Sequence, residues 1–186
     1  ISAFFDADCD CFHFSHLFTI FVVITMLCLF CGNIFSQEEV ETLSLPDTFV
    51  IDNANLLSAE DAEKLNEKCI SFASTSNLGI YIVTVPDMGG YTNIEDFSED
   101  FYTNNEFGIG EEKTGIMLIM SMLGRDYDIW ALGSFAHYTF TDYGKEVMAN
   151  SFLSDFKQND WAAGFNNFIL SCEELYNYAK SGTPLD

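Results

Sequence analysis

Positive charge is what this chain has least of: seven Lys and Arg stand against 29 Asp and Glu, a formal net charge of −22. An excess of that size repels polyanions, so nucleic acid is excluded as a partner, and cations or basic surfaces are left. Histidine is nearly as scarce. Of three, only His137 lies beyond the N-terminal stretch, which argues against a histidine-phosphatase pair or a zinc site in the folded part. None of the six cysteines has an arginine six residues later, and a cysteine-phosphatase loop is excluded with it. What the chain does have is apolar bulk. Hydrophobic residues make up 48% and aromatics 16%, too much for a disordered acidic tail, so the acid must cover the surface of one folded domain.

Charge is absent altogether from Leu17 to Phe35, LFTIFVVITMLCLFCGNIF. That length suits either a bilayer span or a secretory apolar region. A signal peptide is favoured over a permanent anchor, because polar Ser36-Gln37-Glu38-Glu39 follows at once with no basic stop-transfer cluster. Neither Cys28 nor Cys31 follows the small residues of a lipobox. Upstream, Cys9, Cys11, His13 and His16 look like metal ligands but stand before the apolar run, with no fold to supply a supporting shell. Asp6-Ala7-Asp8 lacks the continuation of an aspartyl phosphotransferase motif, and Cys11 stands where a calcium loop needs glycine. The chain opens on Ile1 with its first methionine at Met26, so its start is expected not to be the biological one. The expected organisation is an upstream segment (1–16), a signal peptide or anchor (17–36), a linker (37–48), a folded domain (49–182) and the start of a C-terminal linker (183–186).

Within the folded part, the run Gly115 to Met122 is apolar without alternation, as expected of a strand covered on both faces. A tight turn at Leu123-Gly124-Arg125 and a second apolar segment, Tyr127 to Leu132, make it one arm of a central hairpin. Phe49 to Asp52 and Ile80 to Val85 read as two further strands. Helices are expected after Ser58, with Ala62, Leu65, Cys69 and Phe72 on one face; from Ile94 to Asn105, capped by Thr92 or Asn93; from Thr141 or Asp142 to Lys157; and after Asp160, where Ala162, Phe165, Ile169, Cys172, Tyr176 and Ala179 form a stripe. The order β, α, β, α, β, β, α, α implies a three-layer α/β/α sandwich with a small mixed β-sheet and about four helices.

Val50-Ile51-Asp52-Asn53-Ala54-Asn55-Leu56-Leu57-Ser58, Gly79 with Ile80 to Val85, Phe107-Gly108-Ile109-Gly110, Gly115 to Ile119, Arg125, Gly133 and Phe140-Thr141-Asp142 resemble, in order and spacing, the TPM domain. The similarity runs from Phe49 to about Lys180. It implies an α/β/α sandwich outside the cytoplasm. Acid phosphatase activity is described for some members, including a thylakoid-lumen one linked to photosystem II repair, and some bind calcium. The ending Ala179 to Pro184 is similar to that of membrane-tethered Gram-positive gut-type members, where it leads into a C-terminal transmembrane helix, so the chain is expected to be truncated before an anchor.

Without histidine or cysteine machinery, phosphate chemistry here would have to be metal-assisted through carboxylates. The candidates are Asp52, after the first strand, and Asp142, at a helix start; the resemblance matches both to family aspartates. As a pair they are expected to bind calcium or another divalent cation. Each also has a plainer reading, Asp52 as a turn organiser and Asp142 as a helix cap. Thr114 departs from the Asp or Asn that members often carry there. Arg125 suits bidentate phosphate binding, although pairing with a carboxylate is the stronger expectation in so acidic a chain. Gly108 and Gly110 are expected to serve turn geometry, since Glu111 and Glu112 would repel phosphate. Cys69 and Cys172, on core faces, are expected to be buried thiols rather than a disulfide. Two functions remain open: an exported, membrane-associated, cation-binding domain with weak phosphatase activity, and a non-catalytic extracytoplasmic module that binds or assembles envelope proteins. Of Tyr127, Trp130, Tyr138, Phe140 and Tyr143, most are expected in the core, and any left exposed would form a protein-binding patch that suits the second. Polysaccharide hydrolysis has abundant acids but no distinctive pair.

Overall fold

In the computed structural model, which describes residues 48–186, the chain enters the fold at Phe49, a fully buried residue whose amide donates to Asn66 Oδ1 at 2.7 Å. The segment 1–16, the apolar stretch 17–36 and almost all of the linker lie outside the described residues. β1 (Val50–Asp52) is short. α1 (Ala59–Ser76) starts where expected: Ser58 Oγ accepts from the Asp61 amide at 3.1 Å, and Leu65, Cys69, Phe72 and Ala73 form its buried stripe. Asn77 ends it in the left-handed conformation, with φ 57°.

β2 (Gly79–Val85) is buried at all seven positions. α2 (Ile94–Asn104) is capped by Asn93, and a loop leads from it to β3 (Gly115–Ser121), also buried throughout. β4 (Asp126–Leu132) returns antiparallel beside β3, while β1, β2 and β3 run parallel in the order β1-β2-β3-β4. The registers Asp52↔Thr84, Thr84↔Met120 and Met120↔Tyr127 define one edge of the sheet, the carboxyl edge of the parallel strands. Gly79, Gly115 and Leu132 define the opposite, amino edge.

Alternation along the strands assigns the faces. Tyr81 stacks on Phe107 with centroids 4.3 Å apart and meets Tyr102 of α2 edge-on at 6.0 Å, so α2 covers that face. Tyr127 meets Phe152 at 5.6 Å on the other face, which is covered by α1, α4 (Asp142–Lys157) and α5 (Trp161–Lys180). Phe72 of α1 and Tyr176 of α5 join these helices edge to face at 5.2 Å. Helices α4 and α5 form a hairpin, tied by Ser171 Oγ to Ser151 Oγ at 2.9 Å and by Asn167 to Asp155 at 2.8 Å. The result is a three-layer α/β/α sandwich around a mixed four-stranded sheet.

Two details depart from the sequence reading. A fifth helix, α3 (Ser134–Thr139), stands between β4 and α4. It follows Gly133 at φ 94°, and its first amide is bonded by Glu112 Oε2 at 3.0 Å, from a loop distant in sequence. The cap of α4 is Thr141, whose Oγ1 accepts from Gly144 at 3.0 Å and donates to the Leu185 carbonyl; Asp142 is the first helical residue.

Candidate functional site

Asp52 ends β1 at the carboxyl edge, and its carboxylate is used inside its own loop. Oδ1 accepts from the Leu56 amide at 3.0 Å and from Thr84 Oγ1 at 2.5 Å, and Oδ2 accepts from the Leu57 amide at 2.8 Å. Thr84, fully buried on β2, in turn accepts from the Ala54 amide at 3.1 Å. Asn55 sits at φ 54° so that the turn can close. The carboxylate, its loop and the neighbouring strand form one hydrogen-bonded unit.

Asp142 lies elsewhere. The last turn of α4 reaches the carboxyl edge, where Phe156 and Lys157 line a cavity with Met120, Arg125 and Tyr127. A helix of 16 residues rises about 24 Å, which puts its first residue toward the amino edge. Neighbouring contacts agree: Gly144 packs against Leu175, near the end of α5, and Gly133 packs against Thr114, just before β3. The two aspartates expected to share a cation therefore stand at opposite ends of the sheet. Asp142 is exposed, and its position suits the helix dipole. Among the described residues, no group of three or more His, Cys, Asp or Glu is placed to hold a metal ion. A calcium site built on both aspartates does not fit this geometry, because one is spent on its loop and the other is remote from it.

The glycine loop serves turn geometry. Gly108 has φ 98°, its amide donates to Tyr81 Oη at 2.9 Å, and a Cβ there would lie 2.0 Å from the Lys113 carbonyl oxygen. Glu112 is held below its usual pKa by the Ser134 amide. Cys69 and Cys172 are free and buried; burial pushes the Cys69 thiol up to about 12 and raises Cys172 as well.

Arg125 corrects the expectation of a carboxylate partner. It sits at φ 51° in the β3–β4 turn, donates to Asn159 Oδ1 at 2.5 Å and lies 5.5 Å from the centroid of the Trp161 ring. Among the described residues neither Arg125 nor Lys157 makes an ion pair. Both border a cavity of about 240 Å³ walled by Met120, Tyr127, Leu153, Phe156 and Trp161. The sequence singled out Arg125, but Lys157 and Trp161 carried no local signal, because it is the α4–α5 turn that brings them to the hairpin.

At the other end of the domain, where α3, the start of α4 and the end of α5 meet, Phe135, Tyr138, Tyr143, Val147 and Tyr178 are exposed. Phe135 contacts both Tyr138, at 6.2 Å, and Tyr176, at 5.9 Å.

The fold has counterparts in solved structures. The N-terminal domain of a protein from P. gingivalis superposes with a TM-score of 0.62 at 18% identity, covering 75% of this chain and 88% of that one. The N-terminal domain of the cg2496 protein from Corynebacterium glutamicum gives 0.57 at 16%, covering 78% and 89%. The BA42 protein of Bizionia argentinensis gives 0.55 at 13%, covering 70% and 86%. At such identities these likenesses speak for the fold alone. No curated protein matches the chain. The family model of the TPM domain matches residues 50–175, from β1 into α5, and the chain belongs to the TPM domain family.

Proposed function

We propose that this TPM domain works outside the cytoplasm as a non-catalytic binding module, with a basic, apolar protein surface as its partner. The observation that carries this reading is the exposed set Phe135, Tyr138, Tyr143, Val147 and Tyr178 on a strongly acidic chain. Large apolar side chains gathered at one end mark an interaction surface. Exposed Asp142 and Glu146 on α4, and Glu174, which accepts from Tyr178 Oη at 3.3 Å, favour a partner that brings lysine or arginine. The uncharged run 17–35 supports export and association with a membrane. The metal-assisted phosphatase reading has less support, since Asp52 is engaged by three donors of its own domain.

The test uses the full chain in a non-ionic detergent. A synthetic amphipathic Leu/Lys peptide, followed by NMR, should shift signals of Phe135, Tyr138 and Tyr143. Its Leu/Glu counterpart should not, and Tyr138→Ser with Tyr143→Ser should abolish the effect. In parallel, calcium and magnesium are titrated calorimetrically and p-nitrophenyl phosphate hydrolysis is measured. Micromolar cation binding together with hydrolysis, both lost in Asp52→Asn/Asp142→Asn, would overturn the proposal in favour of a metal-dependent enzyme.

A further inference from the structure

We infer that the cavity between the β3–β4 turn and the α4–α5 turn binds a small organic anion, through its anionic head at Arg125 and Lys157 and its apolar body against Tyr127, Phe156 and Trp161. The inference is independent of whether the domain is catalytic.

The first ground is where the cations are. Of the seven basic residues, two are in ion pairs among the described residues, Lys64 with Glu60 at 2.6 Å and Lys113 with Glu106 at 3.9 Å, while Lys68 bonds Asn166 and Lys180 lies over the Tyr176 ring. Arg125 and Lys157 have no acidic partner among the described residues, yet they line the same cavity.

The second ground is the acids nearest to them in sequence, each turned to another task. Asp126 Oδ1 accepts from the Tyr127 amide at 3.2 Å, Asp155 Oδ2 accepts from Asn167, and Asp160 Oδ1 caps α5 through the Ala163 amide at 3.2 Å. The positive charge of Arg125 and Lys157 is thus left without an ion-pair partner among the described residues.

The third ground is the geometry of the guanidinium. Asn159 takes one side of it and the Trp161 ring supports it, which fixes its plane; its remaining N–H donors are unused among the described residues. A fixed, partly satisfied guanidinium is a fork for a two-oxygen anion, carboxylate or phosphate alike. The walls select for more than a bare ion. Phe156 and Met120 are buried, Tyr127, Leu153 and Trp161 are half-buried, and only an apolar group covers such a surface to advantage. At about 240 Å³ the cavity is smaller than the roughly 300–1,000 Å³ typical of drug-sized ligands, which limits the occupant to one ring or a short chain beside the anionic head.

The experiment titrates phenylacetate, phenyl phosphate and neutral phenylacetamide into the full chain in non-ionic detergent, read by Trp161 indole and Tyr127 NMR signals. Saturable shifts confined to the cavity are expected for at least one anion, with phenylacetamide about ten-fold weaker or more, the equivalent of one charge-assisted hydrogen bond. Arg125→Met and Lys157→Met, both at exposed positions, should each weaken the anion by about the same factor and leave phenylacetamide unchanged. Which anion binds more tightly tells carboxylate from phosphate. Release of phosphate from phenyl phosphate with binding intact would count against the non-catalytic reading but not against the site. Equal binding of the neutral amide, indifference to both substitutions, or no shifts at tens of millimolar would overturn the inference.

Discussion

Replacing Asp52 with alanine removes the acceptor for three donors at once: the amides of Leu56 and Leu57 and the hydroxyl of Thr84. Hydrogen bonds to a charged acceptor contribute about 1.5–3 kcal/mol each. Asp52 and its loop are only partly buried, so water recovers some of the loss at the two amides. Thr84, which is fully buried, has no such recourse. A net loss of about 2–4 kcal/mol follows for Asp52→Ala. Asp52→Asn keeps one acceptor oxygen but turns an N–H toward a donor, and should lose about half as much. Asp142→Ala, at an exposed helix start, should lose no more than about 1 kcal/mol, the size of a dipole interaction. Urea unfolding with a common m-value measures all three, and it must be run in EDTA. A structural aspartate stabilises the domain without any cation, whereas a pure ligand contributes only when the metal is present. If Asp52→Ala in EDTA lies within about 0.5 kcal/mol of the parent, the account of Asp52 as the organiser of its loop is wrong.

Three further outcomes follow from the same structure. Burial holds Asp128 above the ordinary carboxylate range, offset by Ser98, its own strand's amide and Lys145 and aggravated by Glu95; the folded state therefore keeps that proton more tightly, and stability should fall as pH rises through and above about 4. Asp128→Asn should flatten that slope and stabilise the domain at neutral pH, and a thermal unfolding series against pH that leaves the slope unchanged would count against the assignment. Gly108→Ala places a Cβ against the Lys113 carbonyl at positive φ and should destabilise by about 2 kcal/mol or more in urea unfolding. Cys69 and Cys172, buried and raised in pKa, should react with iodoacetamide only as fast as the domain opens; alkylation of the native protein at the rate of a free thiol would contradict their burial.

The layers were legible because each rests on a local signal. The unbroken run Gly115 to Ile119 marks a strand covered on both sides, and Ser58, Asn93 and Asp160 each sit where a helix start needs an acceptor. α3 was not legible, since six residues are too few for a periodic stripe and its first amide is satisfied by Glu112, from another part of the chain. The two candidate aspartates are set apart for a topological reason. Asp52 closes a parallel strand, whereas Asp142 follows β4, which carries the chain back to the other edge before α3 and α4 begin. Two aspartates at element ends look equivalent in sequence until the direction of that return strand is taken into account. Arg125 shows the converse. Counting charges favours an acidic partner, but its neighbours Asp126, Asp155 and Asp160 are each engaged by nearby amides.

Among the described residues, the outer strand β4 leaves one row of backbone groups without a neighbouring strand in the sheet. An open, apolar strand of seven residues would invite a second copy to add itself and continue into a fibre. Here Asp126 and Asp128 interrupt it, the second half-buried and with one oxygen unpartnered. At the far edge β1 is only three residues long and offers little to join. The discomfort of Asp128 thus protects the molecule from its own kind at high concentration: the asparagine variant that folds more firmly at neutral pH should also be the one that clouds first when concentrated.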